Sequence, residues 1–254
     1  MNTKRIRKFS VALVFGILFT LLLSVNAFAA DKYVTKALTT GQAVAVTNES
    51  TTSGTTTYTM YKFTVPAGKY VSLTCVSVAE RYGNATIYTK ANTGSSYRVA
   101  STSAATKGKS WTEKIALEPG TYYLSFYNVS KAKLDLVTSP NKANYCRSKA
   151  QALKAGTAVT IVQTPDTDYD RWYKVSLTTA KKLKITSNTS MYITVYNKNG
   201  ARCPLDSYNS STKSQTTSNK LTKGVYYIRV HCQSFSNSGS GYDKKGVYNV
   251  MKWS

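Results

Sequence analysis

The densest chemical feature of the chain is Asp166-Thr167-Asp168-Tyr169-Asp170, which sets three of its eleven acidic side chains on alternate residues. Alternate side chains of an extended segment share one side, and clustered carboxylate oxygens are what a hard cation such as Ca²⁺ prefers. Asp166, Asp168 and Asp170 are therefore the candidate metal ligands, with Ca²⁺ as the candidate cofactor. Calcium usually takes roughly six to eight oxygens, whereas this run has no glycine-turned loop or bidentate glutamate, and Arg171 adjoins it. The competing reading is an acidic turn that solvates a strand start and pairs with Arg171 or a nearby lysine. Gly54, Thr56 and Tyr58 occupy the matching positions of the first half, so no equivalent site is expected there.

A second candidate is a surface. In Trp172-Tyr173-Lys174-Val175, an inward Tyr173 and Val175 would turn Trp172 and Lys174 outward. The same parity puts Tyr227, Arg229 and His231 on the outside of the later run Tyr226–Val230 and beyond. If the two strands are neighbours, Trp172, Lys174, Tyr227 and Arg229 make an aromatic and basic ligand-binding face. Aromatic rings stack on sugar or apolar surfaces and arginine binds carboxylate or phosphate in a planar fork, which suits an acidic glycan or an extended peptide. The plainer reading is a Trp172 that completes a packing contact and cations that are the solvated side of a sheet.

Catalytic patterns find little footing. The chain has one histidine, no His-Glu-x-x-His, no Gly-x-Ser-x-Gly and no glycine-rich phosphate loop. Ser210 and Lys213 have Ser-x-x-Lys spacing but lie in a Ser/Thr-rich loop. No enzyme activity is expected, and a hydrolase built on scattered acids is the remote alternative. Cys75 falls in the apolar series Val71, Leu73, Cys75 and reads as a buried free thiol. Cys146, Cys203 and Cys232 would supply one disulfide, with three choices of pair.

The elements that must position these residues are strands. Val71, Leu73 and Cys75 alternate with Ser72 and Thr74, and Leu183 and Ile185 with Lys182 and Lys184, the period of a strand with one buried face. The alternation breaks at Val76-Ser77-Val78, which predicts a strand end or bulge. Tracts rich in Gly, Ser, Thr and Asn at 51–57, 91–96 and 234–241 read as loops. Ahead of all this, Lys4, Arg5, Arg7 and Lys8 precede an uncharged apolar run over 11–25 and then Ala27-Phe28-Ala29, the pattern of a secretory signal peptide occupying 1–29. Without it, thirty basic residues face eleven acidic ones, a net +19, of which residues 140–254 carry +13. Outside a cell such a charge favours anionic polymers over neutral ones.

The chain also repeats itself. Ala37-Leu38-Thr39-Thr40-Gly41, Met60-Tyr61-Lys62-Phe63 and Gly120-Thr121-Tyr122-Tyr123-Leu124 return as Ala152-Leu153-Lys154-Ala155-Gly156, Trp172-Tyr173-Lys174-Val175 and Gly224-Val225-Tyr226-Tyr227-Ile228. These motifs, carried nearly along the whole mature chain and twice over, resemble the bacterial pre-peptidase C-terminal domain. Met60 departs from that pattern where the second copy has Trp172. The resemblance implies an all-β protein of two tandem jelly-roll-like antiparallel β-sandwiches, over 30–139 and 140–254, related to clostridial collagen-binding modules. It also implies calcium binding in some members. The expected function is a secreted, non-catalytic binding or adhesion protein. Its partner would be an extracellular polymer (an anionic glycan, the cell wall or a matrix protein) and not a specific nucleic acid. The alternative is an accessory subunit that docks onto a secreted exoenzyme.

Overall fold

The computed structural model describes residues 30–140, 144–167, 170–231 and 244–254. The expected signal peptide, Asp168, Cys232 and the 234–241 loop lie outside the described residues. The fold is all-β. The first half contributes β1 (Lys32–Ala37), β2 (Ala43–Ala45), β3 (Ser50–Thr52), β4 (Thr55–Val65), β5 (Lys69–Ser77), β6 (Asn84–Tyr88), β7 (Arg98–Ser103), β8 (Ser110–Ile115), β9 (Gly120–Tyr127) and β10 (Val129–Thr138). The second contributes β11 (Gln151–Ala152), β12 (Val159–Gln163), β13 (Arg171–Leu177), β14 (Lys184–Ser187), β15 (Ile193–Asn197), β16 (Arg202–Cys203), β17 (Ser214–Thr216), β18 (Gly224–Val230) and β19 (Val247–Trp253). Among the described residues, no helix is long and apolar enough to cross a membrane.

The strands form four sheets, and the orders in the two halves correspond strand for strand. In the first half β1-β4-β9-β6-β7, with β3 added beside β4, faces β2-β10-β5-β8; in the second β11-β13-β18-β15-β16 faces β12-β19-β14-β17. Parallel pairing occurs only where β1 meets β4 and where β11 meets β13 among the described residues. Each core is packed from both sheets of its half. Phe63, Ile87 and Leu124 meet Leu73, Ile115 and Leu134 in one, and Tyr173, Val195 and Ile228 meet Ile161, Ile185 and Trp253 in the other.

The repeated motifs have physical jobs. Leu38 and Leu153 donate their N–H groups to the carbonyls of Lys62 and Lys174, both at 2.9 Å. Gly41 and Gly156 then take positive φ (83° and 72°), the turn that lets their N–H groups reach Leu134 and Trp253 in the opposite sheet. Each Gly-x-Tyr-Tyr strand starts with a tyrosine whose hydroxyl donates back four residues: Tyr122 to the Glu118 carbonyl at 2.7 Å and Tyr226 to that of Thr222 at 3.0 Å. This is the tyrosine-corner device of β-sandwiches.

Val71, Leu73 and Cys75 are buried on β5, which ends at Ser77 opposite a register shift between Val129 and Lys131. The 51–57 tract, expected to be a loop, is instead the β3–β4 hairpin. Its β-branched threonines favour extended backbone. Ser53 and Gly54, at φ 51° and 79°, make the two-residue turn with both φ positive that matches strand twist.

The halves meet edge to end. Gly246 donates its N–H to the Ala116 carbonyl and Glu118 its N–H to that of Lys244, both at 2.9 Å. The Lys244 ammonium pairs with the Glu118 carboxylate. Beneath this bridge the rings of Tyr70 and Tyr248 lie 5.1 Å apart, packed with Ala116 and Val162.

Candidate ligand-binding face

On β13, Arg171, Tyr173, Val175 and Leu177 are buried while Trp172, Lys174 and Ser176 face outward. On β18, Tyr226, Ile228 and Val230 are buried, leaving Tyr227 and Arg229 on the outside. The two strands are direct neighbours in antiparallel register, with Trp172 opposite Arg229 and Lys174 opposite Tyr227. All four predicted face residues therefore lie together, in two adjacent cross-strand rows. The sheet extends both rows: Arg229 is opposite Thr194, and Tyr227 is opposite Tyr196, which is itself opposite Arg202.

Local contacts fix the ring geometry. Asn144 clamps the edge of β13, accepting the Trp172 N–H at 2.8 Å and donating its side-chain amide to the Trp172 carbonyl at 3.0 Å. The Trp172 and Tyr196 rings stack at 5.5 Å and 26°, and the Arg229 guanidinium lies 5.7 Å from the indole centroid. Arg147, reaching over from the 3₁₀ turn Arg147–Lys149, covers Tyr227 at 4.5 Å and donates to the carbonyls of Asn197 and Lys198. Burial pushes the Tyr196 hydroxyl up, but hydrogen bonds and charge from Arg229 and Arg202 outweigh it and hold the group below its ordinary value. The face thus combines two stacked rings with a concentration of positive field.

Tyr196, Arg202, Thr194 and Arg147 belong to this face but were not among the predicted residues. Parity alone puts Thr194 and Tyr196 on one side of Ile193–Asn197. Which strand lies beyond β18 is a matter of topology, and β16 is too short to show a period.

Of the three candidate calcium ligands, Asp166 and Asp170 are described. Pro165–Thr167 is a 3₁₀ turn, so the alternation that would align the carboxylates is absent at its start. Asp166 lines a shallow cleft beside Lys69 and Pro119, whereas Asp170 accepts hydrogen bonds from Arg229 at the face. Among the described residues no group of three His, Cys, Asp or Glu side chains could hold a metal, and Asp168 lies outside them. Arg171 is fully buried and donates to the Val162 carbonyl at 3.2 Å.

His231 joins the face from the end of β18, its Nε2 2.8 Å from Thr194 Oγ1 and its Nδ1 3.9 Å from Asp170 Oδ1. The order hydroxyl, imidazole, carboxylate is that of an activated nucleophile, but 3.9 Å is beyond hydrogen-bond reach. Thr194 is paired with Arg229 on the β18 side, whereas the β16 pairing covers only Val195 and Tyr196. Burial and the Arg229 and Arg202 charges lower the His231 pKa from its ordinary 6.5, against an opposing pull from Asp170. The unfolded chain therefore takes up this proton first, and the stability present above pH 6.5 declines as pH falls below it. His231→Gln is expected to flatten the pH dependence of the urea midpoint below pH 6.5; an unchanged slope would contradict this assignment.

Among the described residues Cys146 and Cys203 are free thiols and not bridged to each other, while Cys232, the third candidate for the expected disulfide, lies outside them. Cys203 is on the core side of β16 opposite Val195, while Cys146 stands before a 3₁₀ turn beside Ser148. Burial pushes the Cys75 thiol up to about 12. The Ser148 hydroxyl and the Lys149 N–H lower that of Cys146. Iodoacetamide is expected to label Cys146 in the native protein and Cys75 only after unfolding, as read by peptide mass; native labelling of Cys75 would show its strand to be open.

The fold and face define an all-β sandwich protein with a basic, aromatic sheet surface. Against known families, residues 179–239 match the secretion system C-terminal sorting domain, a stretch well short of half the chain. No curated protein sequence matches. Among solved structures, the chain is similar to the CUB1-EGF-CUB2 domain of human MASP-1/3 at 10% identity, covering 84% of this chain and 99% of that one with a TM-score of 0.23. It is also similar to an Eubacterium rectale protein described as secreted, at 12% identity, covering 77% of this chain and 68% of the other, again with a TM-score of 0.23. At those scores neither likeness informs the fold or the function.

Proposed function

We propose that the protein is exported and serves as a non-catalytic binding module for an acidic extracellular polysaccharide, held on the outer face of β13, β18, β15 and β16. Export is supported by the basic and apolar start of the chain and by the sorting-domain match over 179–239. The matching strand orders support a duplicated sandwich of the pre-peptidase C-terminal kind. The observation that carries the binding reading is the pair of rows Trp172–Arg229–Thr194 and Lys174–Tyr227–Tyr196–Arg202. Such rows offer rings to sugar faces and cations to carboxylates across four strands. The 3.9 Å gap between His231 and Asp170 and the engagement of Asp170 by Arg229 favour binding over hydrolysis.

The test is affinity for polygalacturonate, with dextran as the neutral control, across a salt titration. Binding should be selective for the acidic polymer and weaken as salt rises, since exposed charges are screened. Equal binding to dextran, or none to polygalacturonate with tight co-purification of a secreted enzyme, would replace this reading with that of an accessory subunit.

A further inference from the structure

The second-half row Lys174–Tyr227–Tyr196–Arg202 has a counterpart at the same lattice points of the first half. Lys62 on β4 is opposite Tyr123 on β9, Tyr123 is opposite Tyr88 on β6, and Tyr88 is opposite Arg98 on β7. Residue type matches at every step, lysine, tyrosine, tyrosine, arginine, in strands that occupy the same sheet positions. Core packing does not explain the match, because the row lies on the outer face: Tyr61, Phe63 and Leu124 are the inward residues beside it. Lys62 and Arg98 are exposed and Tyr123 is half-buried, while Tyr88 is 8% exposed.

The adjoining row is different. Where the second half has Trp172 and Arg229, the first has Met60 and Ser125, both buried and uncharged. Glu49 and Asp31 act on Tyr58, the position that Asp170 holds in the second half, and Glu49 acts on Tyr88 as well. The first-half face thus keeps the end charges of the row but lacks the stacked indole and its arginine.

We propose that the first half carries a second, weaker site for the same acidic polysaccharide, built on Lys62, Tyr123, Tyr88 and Arg98, so that one long polymer is held at both halves. This rests on the second-half reading above, and the occupant follows from charge complementarity: the exposed cations Lys62 and Arg98 stand at the two ends of the row. A long flexible polymer gains from a second weak contact through effective concentration, whereas a short oligomer does not.

The experiment compares a galacturonate tetramer with polygalacturonate on the full chain, with Lys62→Glu/Arg98→Glu, Lys174→Glu/Arg202→Glu and, as a control for lost charge, Lys109→Glu/Lys131→Glu. The first-half pair is expected to lower polymer affinity by about tenfold or more while changing tetramer affinity by less than about twofold. The second-half pair should weaken both ligands. If the first-half pair loses no more polymer affinity than the control, the second site is overturned and the second-half face stands. If the second-half pair leaves both affinities unchanged, the face itself fails and this inference with it. Lys62→Glu alone, at an exposed position, repeats the test should the double variant fold poorly.

Discussion

Trp172→Ala should weaken polygalacturonate binding by about thirtyfold, the equivalent of ~2 kcal/mol for loss of a central aromatic anchor. Its indole is held from three directions: by the Asn144 clamp on its backbone, by the Tyr196 ring at 5.5 Å and by the Arg229 guanidinium. A ring fixed in this way loses little freedom when a sugar stacks on it, so its removal costs contact without a compensating gain in disorder. The change should leave the fold intact, because Trp172 is only half-buried and lies outside the second-half core. Isothermal titration beside an unchanged urea midpoint would separate the two effects. Retained affinity in Trp172→Ala would move the contact to the Lys174–Arg202 row.

The largest expected stability change lies at the junction. A Cβ on Gly246 would stand 2.2 Å from the Gln163 carbonyl oxygen and 2.9 Å from Thr164 Cα. Both are backbone atoms, at and just beyond the end of β12, so no side chain can rotate away. The Gly246 N–H is also tied to Ala116 of the first half at 2.9 Å, which blocks a compensating shift of the 246 backbone. Gly246→Ala is expected to cost about 3 kcal/mol, the upper range for forced overpacking. Gly68→Ala is the control, since Gly68 has open space but φ of 72°, and it should cost only about 1 kcal/mol. A Gly246→Ala midpoint within about 0.5 kcal/mol of the parent would mean that the junction is looser than these distances describe.

Strand faces were the part of the molecule most open to reading from residues alone. Alternation on β5, β13 and β18 identifies the buried side because one face of each strand meets a core and the other meets solvent. Once those faces are known, Trp172, Lys174, Tyr227 and Arg229 need only a shared edge to meet, and they share it in register. Other features depended on information that periodicity does not hold. Tyr196 and Arg202 reach the face through a strand order running β18-β15-β16. The acidic run was aligned on the assumption of extended backbone, which the 3₁₀ turn at Pro165–Thr167 removes. The threonines of 51–57 looked like a loop by composition, although their β-branching and the Ser53-Gly54 turn make a hairpin. Cysteine count points to a bridge among three residues, of which Cys203 is on the core side opposite Val195 and Cys232 lies outside the described residues.

The positions of β10 and β19 set an order of assembly. Each is late in its half yet sits inside its sheet, β10 between β2 and β5 and β19 between β12 and β14. Neither sandwich can therefore grow outward from a finished sheet; its second layer stays split until that late strand is inserted. The first half holds all its strands by Thr138 and can close independently. The second must wait for 247–253, and the bridge from Lys244 back to Glu118, spanning 126 residues, closes only with it. Folding of this chain should then show two steps in time, with the junction as the last contact made.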